Sequence, residues 1–377
     1  VSKKIRVGVL FGGKSAEHEV SLLSAKNVIE SIDSEKYEVI PISISKSGEW
    51  FLHDNVKQYL LNADDPTRIC LSAAEETVTL VTRDSGNPLV SLSTRSLDHA
   101  LDVIFPVLHG TYGEDGTMQG LLKLANIPFV GSGVLASAVG MDKDVMKRLL
   151  RDAKIVTAKF LSLSIHLRNS ISYEKVATEL GTPFFVKPSN QGSSIGISKI
   201  KNKQEFESKL NFAFQFDRKI LFEECIVGRE IECSVLGNTE LMVSLPGEII
   251  PKHEFHSYEE KYFKDGGAVF EAPACLSQAD IKAIQAVSMQ AYEVLGCEGM
   301  ARVDMFLKED GTIVLNEVNT IPGFTKTSMY PKMWEASGVP LPQVLDRLIE
   351  LALERHTAEK NIKTTAMWAN EPVANDQ

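Results

Sequence analysis

The run Ile5-Arg-Val-Gly-Val-Leu-Phe11 closes on Gly12-Gly13, and helical apolar spacing follows from Val20 to Ile32. A second strand-like run, Tyr37 to Ile44, then returns, so the chain opens as a β-α-β unit. Strands this continuously apolar are covered on both faces, which predicts an α/β (α+β) fold class with an N-terminal doubly wound parallel sheet. Asp102 to Leu108 supplies another buried strand; it runs into the glycine-dense loop His109-Gly-Thr-Tyr-Gly-Glu-Asp-Gly116 and a helix from Met118 to Ala125. Residues 50–100 have weaker periodicity and several turn clusters, and read as an elaboration of this first unit with no assigned role. Gly12-Gly13 does not complete Gly-x-Gly-x-x-Gly, so a nicotinamide site does not follow from the topology.

With 377 residues the chain exceeds one core of ordinary size, and two or three domains are expected. A net charge of −10 argues against nucleic acid or an anionic membrane as the main partner. Cys70, Cys225, Cys233, Cys275 and Cys297 are odd in number and lack Cys-x-x-Cys spacing, so neither a disulfide framework nor a zinc site follows. No apolar run approaches a membrane span, and the expected location is a reducing cytoplasm. His253-x-x-His256 has metal-ligand spacing but no third ligand nearby, and reads as a loop feature.

Two later segments carry chemistry. Gly299 to Leu307 and Thr312 to Asn319 flank the turn Lys308-Glu-Asp-Gly311, a hairpin pattern. Side chains alternate along a strand, so Arg302 shares a face with Asp304, and Glu317 with Asn319. Those oxygens suit Mg²⁺, which takes one or two carboxylates and leaves its other positions to phosphate and water. In isolation the same pattern also suits a charged solvent face. The second segment, Lys187-Pro-Ser-Asn-Gln-Gly-Ser-Ser-Ile-Gly196, places a lysine at a strand end before a Gly/Ser loop whose N–H groups can approach phosphate. It lacks the Gly-Lys-Ser/Thr and following helix of a Walker loop, and alone it could be a mobile hairpin tip.

Together these elements resemble the ATP-grasp superfamily. Phe11-Gly-Gly-Lys-Ser-Ala-Glu-His-Glu-Val-Ser-Leu, the His109 loop and Asn316-Glu-Val-Asn-Thr-Ile-Pro-Gly-Phe-Thr resemble its D-alanine–D-alanine ligase family over about residues 5–350. The resemblance implies a three-domain architecture: residues 1–140 as a Rossmann-like domain, 141–226 as a central subdomain with the Gly/Ser loop, and 227–364 as a domain with metal site and lid. Residues 365–377 are left as a polar tail, and the last helix is expected to span Leu341 to Arg355 with fraying from His356.

The resemblance also implies roles for individual residues. Glu17 would anchor the ammonium of the first D-alanine with His109 beside it, and Ser328 and Met329 would receive the carboxylate of the second. Lys143 and Lys187 match the α- and β-phosphate lysines, and Lys261 a lid lysine reaching the γ-phosphate. Glu223, Glu224, Ile226 and Glu230 match the linker that meets adenine and ribose; Ser194, Asn316 and Glu317 complete the ATP contacts. Ser193 and Tyr262 would tie the lid to Glu17. Asp304, Glu317 and Asn319 would hold two Mg²⁺, or Mn²⁺ in their place, and Arg302 with the Gly323 N–H would meet the reaction's oxyanion. Many members have leucine where this chain has Met329, which leaves that contact to the backbone. The implied partners are ATP, D-alanine and a second copy of the chain. Other ATP-grasp carboxylate–amine ligases, of glutathione-synthetase or D-alanine–D-lactate type, and a non-catalytic nucleotide-binding regulator are the alternatives; the Glu17 and Tyr262 signatures and the retained cations weigh against them.

Overall fold

The computed structural model describes residues 3–53, 59–63, 65–73, 76–81, 89–92, 100–251 and 268–363. Lys261, Tyr262, His253 and His256 lie outside them.

Three main sheets organise the chain. In the first, Ile5–Gly12 lies between Tyr37–Ile44 and Val103–Val107, parallel to both. Trp50–Leu52, Glu76–Leu80 and Leu89–Ser91 extend this sheet antiparallel, so the 50–100 region adds strands to the first unit and the doubly wound parallel part is its three-stranded half. Helix His18–Ser31 buries Val20, Leu22, Ala25 and Val28, and the last three belong to the same core as Val7, Val9 and Phe11.

The second sheet is antiparallel, in the order Ser198–Ile200, Phe184–Pro188, Lys219–Glu224, Phe160–Ser164. Strand alternation sends Phe184, Val186, Ile220 and Phe222 into a core with Val176, Phe206 and Leu210 of its two helices. Phe185, Lys187 and Glu223 are thereby left to the opposite face, which lines a cleft.

Across that cleft stands the third sheet, Ala268–Glu271, Gly247–Pro251, Arg229–Gly237, Gly299–Leu307 and Ile313–Asn319. Its rear face buries Ile231, Cys233, Val235, Ala301, Val303 and Met305 with Ile284, Ala291 and Tyr292 of helix Gln278–Val294. The front face carries Glu230, Glu232, Arg302 and Phe306 into the cleft.

One core joins the chain's two ends. Residues Val7, Phe105, Phe324, Tyr330, Trp334, Leu345 and Leu348 belong to a single cluster, so helices Met329–Ala336 and Leu341–Lys360 seat the 320s loop on the first sheet. Rings of Phe105 and Phe324, Phe324 and Tyr330, and Tyr330 and Trp334 meet edge-on at 5.9, 5.5 and 6.3 Å. Such pairs contribute about 0.5–1.5 kcal/mol each beyond burial, which fixes the loop firmly. The last helix runs to Lys360, past the expected end at Arg355, because Lys123 pairs with Glu359 at 3.0 Å and Thr357 donates back to Leu353 O.

Candidate active site

A cleft of about 470 Å³ between the second and third sheets gathers most of the residues singled out from sequence. Lys143, Lys187, Ser193, Ser194, Glu223, Glu224 and Ile226 line it, as do Glu230, Arg302, Asn316, Glu317, Gly323, Ser328 and Met329.

The hairpin behaves as its alternation predicts. Arg302 lies opposite Asn319 and Asp304 opposite Glu317, with a register shift immediately after Asp304. Arg302 Nε and Nη2 donate to the two Asp304 oxygens at 2.7 Å each, and Asn319 Nδ2 donates to Asp304 Oδ2 at 2.9 Å. Glu232, one strand over and in register with Asp304, pairs with Arg302 Nε at 3.1 Å. Lys143 Nζ stands 3.1 Å from Glu317 Oε2. Asp304 and Glu317 thus stand opposite each other in the hairpin, with the Asn319 amide on Asp304 and two protein cations close by; two carboxylates and an amide are oxygen donors of the kind that suits Mg²⁺ or Mn²⁺. Among the described residues no group of three His, Cys, Asp or Glu gathers as a metal cluster.

Lys143 is placed by its helix start. Asp142 caps helix Lys143–Asp152 by accepting from the N–H groups of Asp144 and Val145. The same carboxylate accepts from Ser189 Oγ at 2.8 Å and pairs with Lys219 at 2.6 Å, which ties the helix to the second sheet. Lys143 Nζ also donates to Gln191 O at 2.8 Å. Burial alone would lower the Lys143 pKa, but Glu317 and the neighbouring carboxylates outweigh it and hold it above its ordinary value.

One turn further along, Lys147 is fully buried with its Nζ 3.2 Å from Glu223 Oε1, while Lys187 Nζ sits 2.5 Å from Glu223 Oε2. Burial pushes the Glu223 carboxyl up; Lys147 and Lys187 pull it down by more, and it lies below the usual range. Glu224 is turned toward the backbone, accepting from Lys159 N at 2.7 Å.

Glu17 ends the preceding loop where helix His18–Ser31 begins, and it is 6% exposed. The Ser193 hydroxyl donates to Glu17 Oε1, so the Gly/Ser loop reaches across from the second sheet to the first. Glycine flanks this carboxylate on both sides. A Cβ on Gly110, whose φ is +74°, would come within 2.6 Å of Glu17 Oε2, and one on Gly192 within 3.0 Å. Glu114 is buried nearby; burial first and Glu17 second push its carboxyl well above the ordinary range, so it holds a proton more readily than a normal glutamate.

His109 is buried with both ring nitrogens engaged. Nδ1 lies 3.1 Å from Ile321 O, a pure acceptor, so Nδ1 carries the hydrogen and Nε2 accepts from Ser24 Oγ at 2.9 Å. Burial lowers its pKa to about 4, and the ring is neutral at physiological pH. Ser24 Oγ also accepts from Phe324 N at 3.2 Å, and Asn27 Nδ2 donates to Phe324 O at 2.7 Å. His109 thus fixes the 320s loop beside Glu17. In that loop Ser328 Oγ accepts from Thr325 N at 3.0 Å and packs against Gly323, where a Cβ would meet it at 2.7 Å. Met329 is 3% exposed at the start of its helix.

Lys147, Glu114, Glu232 and Ser24 were not singled out from the sequence. Lys147 alone had a legible signal, lying one helical turn from Lys143 on the same face.

Two sheets facing across a cleft of lysines and carboxylates, with a Gly/Ser loop reaching over it, define the ATP-grasp class of carboxylate–amine ligases. Residues 6–132 match the family described as D-ala D-ala ligase N-terminus, and residues 149–350 the one described as D-ala D-ala ligase C-terminus. The chain is 52% identical to the D-alanine–D-alanine ligase of Oceanobacillus iheyensis, over 96% of this chain and 99% of that protein. It is 49% identical to D-alanine–D-alanine ligase A of Escherichia coli K12, over 96% and 100%. A solved D-alanine–D-alanine ligase from Coxiella burnetii superposes with a TM-score of 0.83 at 39% identity, covering 95% of this chain and 97% of its own. The VanG D-Ala:D-Ser ligase from Enterococcus faecalis gives 0.81 at 39% identity, covering 93% and 100%. The chain belongs to the D-alanine–D-alanine ligase family.

Proposed function

We propose that this chain joins two D-alanine molecules at the expense of ATP, through a D-alanyl phosphate, releasing ADP and phosphate, and so supplies the dipeptide of peptidoglycan precursors. The observation that carries the reading is the Ser193–Glu17 contact, which joins a phosphate-type loop to a buried carboxylate suited to an ammonium.

A free carboxylate is a poor electrophile, and phosphorylation supplies the leaving group. Lys143 and Lys187 would bind the nucleotide's phosphates as point charges, with the loop N–H groups around Ser193 and Ser194 beside them. Asp304, Glu317 and Asn319 would hold Mg²⁺ (or Mn²⁺), which when bound supplies charge neutralisation for phosphoryl transfer. Glu17 would hold the first D-alanine by its ammonium, leaving its carboxylate to attack the γ-phosphorus. The amine of the second D-alanine, its carboxylate received by Ser328 and the backbone at Met329, would then attack the acyl carbon and expel phosphate. A guanidinium has five donors, so Arg302 can serve Asp304 and the developing oxyanion together, with the Gly323 N–H opposite. Each well-placed donor is worth roughly 3–4 kcal/mol in the transition state.

The reading includes Lys261 and Tyr262 as a lid, residues outside those described, and a homodimer in the cytoplasm. The net charge of −10 supports the exclusion of nucleic acid as a partner. No helix among the described residues is long and apolar enough to cross a membrane. Purified chain given ATP and D-alanine should yield ADP, free phosphate and dipeptide in equal amounts, with D-serine and D-lactate as poorer second substrates. Appearance of AMP and pyrophosphate would mean adenylation and would overturn the scheme.

A further inference from the structure

Lys147 is the feature that the ligase scheme leaves unexplained. Its side chain is 0% exposed and stands outside the cleft lining, behind Glu223, which does line the cleft. Helical spacing puts Lys143 and Lys147 on one face of helix Lys143–Asp152, yet their ammoniums go to different carboxylates: Lys143 to Glu317 and Lys147 to Glu223. Removing an ammonium from water is costly, and an apolar side chain of the same length would pack there without that cost. The cation is therefore spent on Glu223.

Resting on the ATP reading above, we propose that Lys147 is a positioning residue that fixes Glu223 as an ionised, acceptor-only edge of the purine pocket and thereby selects adenine over guanine nucleotides. A carboxylate offers about four lone-pair sites; Lys187 pairs with one Glu223 oxygen at 2.5 Å, and Lys147 stands 3.2 Å from the other as an ion pair without hydrogen-bond geometry. The acceptor capacity that remains suits the exocyclic amine of adenine. Guanine presents a carbonyl at that ring position, and an ionised carboxylate repels it. A protonated or rotated Glu223 could instead donate to that carbonyl, so the discrimination depends on keeping the proton off and the carboxylate in place. Burial pushes the Glu223 carboxyl up but Lys147 and Lys187 pull it down by more, while burial in turn lowers the Lys147 pKa against the pull of Glu223. Lys187 alone does not suffice, because the same lysine is called on to hold phosphate.

The test compares wild type, Lys147→Met, Glu223→Gln and the double variant. ADP and GDP binding are measured by calorimetry without D-alanine, and KM and kcat with ATP and GTP at saturating D-alanine. Lys147→Met should lower the ADP-to-GDP affinity ratio by about tenfold, the scale of one charge-assisted hydrogen bond, with the loss falling on KM for ATP rather than on kcat. The double variant should have the selectivity of Glu223→Gln, because Lys147 acts through Glu223. Equal weakening of ADP and GDP in Lys147→Met, no change in either, or a further loss of selectivity in the double variant would overturn the proposal. Should Lys147→Met not fold, the double variant, which removes both buried charges, carries the comparison with Glu223→Gln on the same criterion. A chain that binds ADP selectively but makes no dipeptide sinks the ligase reading and leaves this one standing. Failure of the wild type to bind ADP would sink both.

Discussion

Asp304→Asn is nearly isosteric and removes one charge, so it separates packing from chemistry. In the structure the two Asp304 oxygens take one hydrogen bond each from Arg302, and Oδ2 takes a second from Asn319. An asparagine must put its NH₂ where one oxygen was. Placed at the Oδ2 position it would face two donors, so it will settle at Oδ1, opposing only Arg302 Nε. The folded state then loses one charge-assisted hydrogen bond, about 1.5–3 kcal/mol, partly offset because Glu232 still holds the guanidinium. Unfolding should stay cooperative, with a modestly lowered urea midpoint. Turnover should suffer far more. Deleting a carboxylate from the proposed metal set, and loosening Arg302 as well, removes at least ~3 kcal/mol of transition-state stabilisation, which is roughly a hundredfold in kcat. ADP release at saturating magnesium and D-alanine, measured beside the unfolding curve, reads both quantities. Turnover within a few-fold of wild type in a folded variant would refute the assignment of Asp304.

The buried His109 predicts a pH dependence of stability. Its pKa is about 4 in the folded chain against an ordinary value of 6.5, so below 6.5 the unfolded chain binds a proton that the folded one refuses. Its contribution, ~3 kcal/mol in full, is present above pH 6.5 and drains away as pH falls toward 4. His109→Asn, which keeps a donor for Ile321 O and does not titrate, should flatten the urea midpoint between pH 6.5 and 4 relative to wild type; coincident slopes would show that another group is responsible. Arg355→Met should lower stability by about 2–4 kcal/mol with turnover within a few-fold, because two buried carbonyls, Phe129 O and Gly131 O, lose their donor and Phe129 loses a cation 4.5 Å from its ring centre. An unchanged urea midpoint would contradict that accounting.

Local signals were legible wherever chemistry follows a short period. Strand alternation alone paired Arg302 with Asp304 and Glu317 with Asn319, and the β-α-β opening was plain from its apolar runs. What lay hidden is what depends on partners far apart in sequence. Nothing around residue 50 or 76 announces that these strands pair antiparallel with each other and extend a parallel sheet, since edge strands need only modest apolar faces. Lys147 reads as one more surface lysine until Glu223, from a strand seventy-odd residues on, is seen beside it. Only the family resemblance puts His109 near a substrate, and its neutral, doubly bonded ring depends on Ser24 and Ile321, one from each end of the chain.

The same distant pairing explains how the cleft is poised. Ser193 and Ser194 have φ values of +49° and +62°, a region that ordinary side chains adopt at a cost of roughly 1–2 kcal/mol per residue. No glycine relieves them, so the loop holds this shape only if contacts offset the strain, and the Ser193 hydroxyl on Glu17 is such a contact. Glu17 is also the carboxylate proposed to take the ammonium of the first D-alanine. On the proposed reading, substrate and loop would meet at one group: an ammonium arriving at Glu17 would share that carboxylate with the Ser193 hydroxyl that holds the loop. Glycine at 110 and 192 leaves room for both around the same carboxylate. On the proposed reading, occupancy of the amino-acid subsite and the shape of the nucleotide loop would be coupled through Glu17, the one buried side chain that the Ser193 hydroxyl and the substrate ammonium would share.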